Sequence, residues 1–173
     1  MHEIVVRSET PEDIRAIDVV HLSAFQGETE AQLISALRGS TKYIPELSLV
    51  AELNGRIVGH LLLSKVSLTR DGWETAVFAL GPMAVVPSQS HRGIGSELIK
   101  AAIAKAREYG CSGIVVAGHP EYYQRFGFAQ ASEWGVHCNL HLPTDALTAL
   151  ELVPGTLEGG GRIEYPSAFA EVF

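Results

Sequence analysis

The N-terminal part of the chain shows apolar residues at helical spacing. A short apolar segment, Ile4 to Val6, precedes Thr10-Pro11-Glu12-Asp13, which places a capping residue, a proline and two acids where a helix starts. Apolar residues then recur every three or four positions as far as Phe25, and a second such pattern over 31–37 ends before Gly39. The pattern predicts a short strand followed by two helices.

The spacing then changes to that of an antiparallel sheet. Residues 47–53 alternate between apolar and more polar side chains, Asn54-Gly55 favours a tight turn, and Arg56 to Leu68 is a more uniformly apolar strand. Asp71-Gly72 marks another turn, and 75–86 returns as a third strand that Gly81-Pro82 interrupts, because proline cannot donate to a ladder.

The second half alternates between helices and strands. After Pro87 a polar loop leads into an amphipathic helix that ends at Gly110, and 113–117 is a buried strand of the parallel type because a helix connects it. Glu121 to Phe126 predicts a short helix, and Phe128 to Cys138 predicts a further strand. The order β-α-α-β-β-β-α-β-α-β predicts an α/β domain with a mixed sheet over 1–173, with about 140–173 as its C-terminal extension.

Composition narrows the class of protein. With 46% apolar and 19% charged residues, 173 residues suffice for one globular domain with its own core. The formal net charge of −7 argues against a nucleic-acid partner, and no apolar run is long enough to span a membrane. Two cysteines, Cys111 and Cys138, make no disulfide framework, so we expect a reducing, cytoplasmic location without a targeting segment.

The first candidate binding motif lies in the segment LGPMAVVPSQSHRGIGSEL. This segment reads as a strand followed by a Gly-x-Gly loop at the start of a helix. Glycines let backbone N–H groups approach an anion and the helix start adds a positive dipole end, so phosphate is the natural ligand. A Walker loop is excluded because Gly95 is followed by Ser96-Glu97, and a dinucleotide loop is excluded by Leu98. Alone, the pair Gly93 and Gly95 is equally typical of a tight turn.

A second segment, Gly-His-Pro-Glu-Tyr-Tyr-Gln-Arg-Phe-Gly-Phe over 118–128, supplies the context. Together with Met-Ala-Val-Val-Pro over 83–87 and Ser-His-Arg-Gly-Ile-Gly over 90–95, it resembles the GNAT superfamily of N-acyltransferases. The Gly-His-Pro-Glu-Tyr-Tyr run and the tail Gly-Arg-Ile-Glu-Tyr-Pro-Ser-Ala-Phe are similar to its YhbS-like branch of small bacterial proteins. The resemblance covers essentially the whole chain.

The resemblance implies a fold and a co-substrate site. The GNAT fold is a mixed, mostly antiparallel central sheet flanked by helices and splayed between the fourth and fifth strands, where acetyl-CoA binds. Backbone groups of Met83, Ala84 and Val85 would pair with the pantetheine arm. The diphosphate would be held by the amides of His91, Arg92, Gly93, Ile94, Gly95 and Ser96. Ser90 departs from the family's Gln or Arg, so one contact is missing or is replaced by Gln89 or Arg92.

The implied reaction moves an acetyl group from acetyl-CoA to a primary amine of a small molecule or protein by direct attack. A main-chain amide near Val85 would stabilise the oxyanion, and Tyr123 matches the family's general acid, although a core tyrosine is the alternative. The general base stays open between Glu28, which together with Glu30 joins the two early helices, and His119, at the end of the parallel strand. A solvated helix start and a structural histidine are the competing interpretations.

Three further features are weaker candidates for metal binding, nucleophilic catalysis or substrate contact. In His137-Cys138-Asn139-Leu140-His141 a strand would point Cys138 away from both histidines, so we expect no metal site. Cys111 follows a helix-ending glycine, which predicts a buried thiol and not an acetylated nucleophile. His60 and Ser64 share one face of the second hairpin strand and are candidates to face the acceptor pocket.

Two other functions stay open. A non-catalytic acyl-CoA-binding or regulatory module is favoured by Ser90 and by the lack of a glutamate in Phe78-Ala79-Leu80, where some family members have one; a nucleotide binder is the third candidate. The negative charge would attract cationic amines without selecting one. The tail from Leu147 to Phe173 either completes the sheet or contributes to a homodimer contact.

Overall fold

The α/β class predicted from the sequence is confirmed by a mostly antiparallel, open sheet with helices. The computed structural model describes residues 3–25, 27–90 and 92–173. Its contacts divide into one unit of Met1–Leu63 with Pro82–Ala106 and a second unit of Ser64–Gly81 with Arg107–Phe173. Strands β3 and β4 each contribute residues to both units.

Three helices and four strands contribute residues to the first unit. Its strands follow the order β1-β2-β3-β4, and β1 pairs antiparallel with β2 from Ile4 opposite Leu53 to Ser8 opposite Leu49. The elements that contribute to this unit are β1 Ile4–Ser8, α1 Ile14–Phe25, α2 Thr29–Arg38, β2 Tyr43–Leu53, β3 Arg56–Arg70, β4 Trp73–Val85 and α3 Ile94–Tyr109.

The predicted helix start at Thr10 forms as a capping box. The Thr10 N–H donates to Asp13 Oδ2 at 2.7 Å, and Pro11–Asp13 makes one 3-10 turn before α1. Arg7 contacts Asp13 at 2.7 Å and Glu52 at 3.0 Å. The Arg7 guanidinium lowers the pKa of Asp13 to about 2, so this carboxylate stays ionised at the cap.

The second unit extends the strand order as β3-β4-β5-β8-β6, and β9 pairs with β3 and β7. Strand β4 runs parallel to β5 from Phe78 opposite Ile114 to Leu80 opposite Val116, immediately before Gly81 with φ 132°. The interruption predicted at Gly81-Pro82 therefore follows the paired segment directly. The other elements of this unit are β5 Gly113–Ala117, α4 Pro120–Gln124, β6 Ala129–Gln130, β7 Val136–Cys138, β8 Leu147–Glu151 and β9 Gly161–Glu164.

The single strand predicted over Phe128 to Cys138 is wrong. A 3-10 turn, Ala131–Trp134, separates β6 from β7, and Gly135 takes a left-handed φ of 77° while its N–H donates to the Ser132 carbonyl at 3.0 Å. The turn gives the two pieces different partners, since β6 pairs with β8 and β7 pairs with β9.

The C-terminal tail joins the sheet, one of the two alternatives that the sequence left open. Strand β8 pairs antiparallel with β5 from Leu147 opposite Ala117 to Glu151 opposite Gly113. Strand β9 pairs antiparallel with β3 over Ser67–Thr69. Because these strands supply ladder partners to residues far away in the chain, the tail is part of the second unit's core.

Four buried polar residues of the first unit form a continuous hydrogen-bonded chain, which we call the buried polar chain: Glu9, Ser48, His60 and His21. The Ser48 hydroxyl donates to Glu9, Ser48 Oγ lies 2.8 Å from His60 Nε2, and His60 Nδ1 lies 2.9 Å from His21 Nε2. Ser48, His60 and His21 are fully buried, and Arg38 holds Glu9 through its Nη2 at 3.1 Å.

Burial controls the charges along this chain. Burial lowers the pKa of His21 to about 3 and also lowers the pKa of His60, so both imidazoles are neutral near pH 7. Burial opposes ionisation of Glu9, but hydrogen bonds from His60, Ser48 and Arg38 outweigh it and lower the Glu9 pKa to about 2. The first unit therefore buries one paired carboxylate and two neutral histidines.

The buried polar chain predicts acid sensitivity. The His21 pKa of about 3 lies below the unfolded value of about 6.5, so stability is present above pH 6.5 and falls as the pH drops toward 3. The His21 contribution to that slope is at most about 1.4 kcal/mol per pH unit. In His21→Phe, the unfolding free energy from urea titrations at several pH values should fall less steeply. The exposed His141→Phe should match the wild type, and equal slopes in all three proteins would contradict the assignment.

Close backbone approach at Gly161 predicts a second stability effect. A Cβ built there would lie 2.5 Å from the Thr69 carbonyl oxygen, at a φ of 134°. Gly161→Ala should therefore lower the free energy of unfolding by about 3 kcal/mol in urea titrations. Gly72→Ala, with φ 78° and open space around its Cβ among the described atoms, should cost about 1 kcal/mol. Equal losses would show that contact with β3 is not the cause.

Candidate functional site

The glycine loop of the first unit presents backbone donors at the start of α3. The Glu97 N–H donates to the Gly93 carbonyl at 3.0 Å, which is the first turn of this 16-residue helix. The N–H groups of Ile94, Gly95 and Ser96 precede that bond, so helix geometry leaves them without intrahelical partners. Gly93 has a φ of 77°, and no described atom comes within 4 Å of a Cβ built there. Free amides and the helix dipole together suit an anion.

The residues before the glycines have separate roles. The Ser90 hydroxyl donates to the Pro87 carbonyl at 2.9 Å, so the residue that departs from the family pattern closes the 3-10 turn Pro87–Gln89. Arg92 is exposed beside the free amides. The predicted contact residue His91 lies outside the described residues.

Packing of β4 and β3 against α3 positions this loop. The Val86 N–H donates to the Val58 carbonyl at 2.8 Å, and a Cβ on Gly59 would lie only 3.0 Å from Ile94 Cγ2. Only a glycine therefore fits comfortably between β3 and the first turn of α3. Along the preceding segment of β4, Ala84 is buried while Met83 and Val85 are half-buried, the alternation of a strand.

His119 and Tyr123 are brought together in the second unit. Gly118 with φ 90° and His119 with φ 49° are both left-handed, and the His119 carbonyl accepts the N–H groups of Tyr122 at 3.0 Å and Tyr123 at 3.3 Å. The Gly118 N–H donates to the Ala146 carbonyl at 2.7 Å, which anchors this turn beside β8. A left-handed histidine stores backbone strain of order 1 kcal/mol, and such strain is often found at functional sites.

Tyr123 lies in an aromatic environment. Its ring centroid is 5.3 Å from that of Tyr122 and 5.8 Å from that of Phe128, and 6% of the residue is exposed. Burial raises the pKa of the Tyr123 phenol, so the hydroxyl carries its proton at neutral pH. The side chain thus has the protonation state of a general acid.

The remaining candidates divide between the two units. Glu28 is exposed at the start of α2, where its carbonyl accepts the Gln32 N–H at 2.8 Å. It belongs to the first unit with Met83, Ala84, Val85 and the Arg92–Ser96 loop, whereas His119 and Tyr123 belong to the second. His60 and Ser64 are both fully buried, and His60 is a member of the buried polar chain.

The two cysteines and the segment 137–141 are the weaker candidates from the sequence. Cys111 is buried as predicted, its thiol donates to the Gly113 carbonyl at 3.0 Å, and burial raises its pKa to about 11. His137 is exposed and Cys138 is half-buried on β7. Among the described residues, no group of three or more His, Cys, Asp or Glu side chains is arranged to hold a metal ion. Nor does any helix in the described part of the chain combine the length and apolar character needed to cross a membrane.

Sequence reasoning missed three members of the buried polar chain: Glu9, Ser48 and His21. The available signal was a polar residue on an otherwise apolar face, as at Ser48 within Leu-Ser-Leu-Val and at His21 in the helical pattern of α1. The contacts themselves span 39 residues between His21 and His60 and between Glu9 and Ser48. Periodicity carries no information about such pairs.

Sequence comparison relates the chain to a known family. The acetyltransferase (GNAT) family profile matches residues 15–128. The uncharacterized N-acetyltransferase YjhQ of Escherichia coli (strain K12) is 30% identical over 172 residues, covering 96% of this chain and 95% of that protein.

Two solved structures are similar over nearly the whole chain. The GNAT family N-acetyltransferase YhbS from Escherichia coli, in complex with CoA, has a TM-score of 0.90 at 26% identity, covering 98% of this chain and 93% of that chain. A GNAT family acetyltransferase from Brucella melitensis, in complex with acetyl-CoA, has a TM-score of 0.78 at 30% identity, covering 98% and 99%. The predicted GNAT fold is confirmed, and the chain belongs to the acetyltransferase (GNAT) family.

Proposed function

We propose that this protein transfers an acetyl group from acetyl-CoA to a primary amine of a small molecule or protein by direct attack, with 1–173 acting as one acyltransferase domain. The observation that carries the proposal is the set of free amides at the start of α3, held beside Met83–Val85 by the packing of Gly59. That the similar structures hold CoA and acetyl-CoA supports the identity of the ligand.

The residues of the first unit fit the phosphate and amide groups of this co-substrate. The amides of 92–96, with the exposed Arg92 guanidinium, would hold the diphosphate, and His91 is proposed beside them. The backbone of Met83, Ala84 and Val85, where Ala84 is buried and its two neighbours are half-buried, would pair with the pantetheine amides as an added strand does. A main-chain N–H near Val85 would stabilise negative charge that develops on the thioester oxygen.

Tyr123 is proposed as the general acid. The amine nitrogen forms a bond to the carbonyl carbon, the carbon–sulfur bond breaks, and the leaving thiolate takes the Tyr123 phenol proton. A thiol pKa of about 8.5 against about 10 for an ordinary phenol makes this transfer uphill by nearly two decades, and the burial that raises the Tyr123 pKa makes it more uphill still. The raised pKa of buried Tyr123 keeps that proton available at neutral pH.

Glu28 and His119 are proposed as alternative bases for the amine proton. Both are exposed, so an amine arriving from solvent can reach either side chain. Asparagine tolerates the left-handed backbone of His119 but has no imidazole, so His119→Asn keeps the turn and removes the base. If His119→Asn keeps its turnover, His119 is not the general base.

A non-catalytic acyl-CoA-binding module is the second candidate function. The observation that favours it is the Ser90 hydroxyl, which is engaged with the Pro87 carbonyl. Such a module would bind acetyl-CoA without releasing CoA in the presence of amines.

The first prediction of the proposal concerns ligand binding. Calorimetric titration should show saturable acetyl-CoA binding and no ATP binding. Arg92→Ala should weaken acetyl-CoA about tenfold through loss of a charge-assisted contact to phosphate. Lys100→Ala, an exposed cation further along α3, should bind as the wild type does. Equal weakening by both substitutions would indicate a general charge effect.

The second prediction concerns the acid. Tyr123→Phe should lower kcat for CoA release by about 100-fold or more while the acetyl-CoA dissociation constant stays within about twofold. Tyr122→Phe, which removes the hydroxyl of the neighbouring ring, is the matched control and should retain turnover. Unchanged turnover in Tyr123→Phe would remove the assignment.

A further inference from the structure

We propose that His21, at the end of the buried polar chain, takes up the proton that the acceptor amine releases, with His60 and Glu9 behind it as positioning residues. This inference rests on the proposed acetyl transfer. It assigns the role of general base to His21 in place of Glu28 or His119. It is carried by the hydrogen-bond order of the chain, by an unpartnered nitrogen at its end and by its place beside β4.

The protons along the chain can be assigned from its anchored end. Ser48 donates its only proton to Glu9, so His60 Nε2, at 2.8 Å from Ser48 Oγ, must be the N–H donor to that oxygen. His60 Nδ1 is then an acceptor, and His21 Nε2, at 2.9 Å, must be its donor. A neutral imidazole carries one N–H, so His21 Nδ1 is left with a bare lone pair.

That lone pair has no partner among the described residues, although the nitrogen is buried. An unsatisfied buried acceptor carries a free-energy cost. Every other polar link of the chain is satisfied, so the cost is concentrated at the terminal atom. A hydrogen-bond donor from outside the protein, an amine or a water carrying its proton, would remove that cost.

The chain lies on the face of the sheet opposite α3. Gly59 faces Ile94 and Leu98 of α3, so the next residue, His60, points to the other face. The hydrogen bond between Val86 and Val58 sets the antiparallel register, in which His60 lies opposite Ala84. Ala84 belongs to the segment proposed to hold the pantetheine arm, so His60 is next to the strand where the thioester would lie, and His21 Nε2 lies 2.9 Å from His60 Nδ1.

The proton step balances without any further reactant. The alkylammonium, whose pKa is about 10.4, first loses a proton to solvent. As the neutral amine nitrogen then bonds to the carbonyl carbon, one of its N–H bonds breaks and that proton binds His21 Nδ1. The His21 Nε2 proton then passes to His60 Nδ1, which restores a neutral His21. The positive charge comes to rest on His60, whose Nε2 lies 3.5 Å from Glu9 Oε1. After product release the proton returns to solvent by the same route.

Charged neighbours decide how well His60 tolerates that charge. Burial and the Arg38 guanidinium of α2 oppose a protonated His60. Glu9, which precedes α1, and Asp18, within α1, favour it. Tyr43 of β2 lies near the carboxylate and guanidinium of the same cluster. With the His21 pKa lowered to about 3, the proton is not stored on His21, which acts as a conduit with its lone pair free at neutral pH.

The test uses the 173-residue chain, saturating acetyl-CoA and the primary amine that gives the fastest CoA release in a screened panel. His21→Phe keeps a ring to stack on Phe25, whose centroid is 5.9 Å away, but removes the lone pair. We expect kcat to fall about 100-fold or more and acetyl-CoA binding to stay within about twofold. The residual rate, expressed per concentration of neutral amine, should rise about tenfold per pH unit from pH 7 to 9. The wild type should vary far less over that range.

The controls separate a proton acceptor from a packing residue. His141→Phe, at an exposed histidine, should keep both rate and pH profile. In His21→Ala, added imidazole should restore a measurable part of the rate, whereas a packing role would give no rescue. If His21→Phe turns over like the wild type with the same pH profile, the inference fails alone. If the wild type releases no CoA with any amine, the proposed function fails and the inference with it.

A measurement on the wild type covers variants that fail to fold. Imidazole ¹⁵N shifts at pH 7 should show His21 protonated at Nε2 and bare at Nδ1, with His60 also protonated at Nε2. Addition of CoA and the same amine should shift His21 Nδ1. A proton on His21 Nδ1 in the free protein, or no shift on addition, would overturn the inference.

Discussion

The close approach of α3 to strand β3 at Gly59 is the constraint on which the candidate co-substrate site depends. With the hydrogen bond between Val86 and Val58, it sets the start of α3 against the last residues of β4. Backbone donors whose partners lie outside the helix are thereby held beside a strand whose Met83–Val85 backbone is proposed as a ladder partner. In the proposed function, phosphate and amide recognition would rest mainly on the backbone, so the Ser90 hydroxyl can hydrogen-bond within the local turn without loss of that surface.

The opposite face of the same strands is built on polar contacts. Arg38 of α2, Ser48 of β2 and His60 of β3 contact Glu9. His21 of α1 contacts His60, so the buried polar chain links both helices to the sheet. Burying such groups is costly unless each is satisfied. Within the buried polar chain, the atom left without a partner among the described residues is His21 Nδ1. This atom connects the packing of the first unit to the chemistry proposed beside Ala84.

Short-range sequence patterns predicted most of the helices and strands and the glycine loop before α3. The Thr10 cap and the turns at Asn54-Gly55 and Asp71-Gly72, all four residues left-handed, are decided by neighbours along the chain. The Gly93 loop was found in the same way. The division of 128–138, the pairing of β9 with β3 and the buried polar chain escaped prediction because they depend on partners tens of residues away. A hydrophobic period reports which face is buried and not which side chains meet there.

The measurement that tests the central claim most directly follows the acetyl group itself. The protein is incubated with acetyl-CoA carrying a ¹³C-labelled acetyl group and a panel of primary amines, and free thiol and labelled amide are quantified together. The account predicts one labelled amide for each CoA released, with label entering no other product. Release of CoA with the label in acetate, or binding of acetyl-CoA without any labelled amide, would contradict acetyl transfer to an amine.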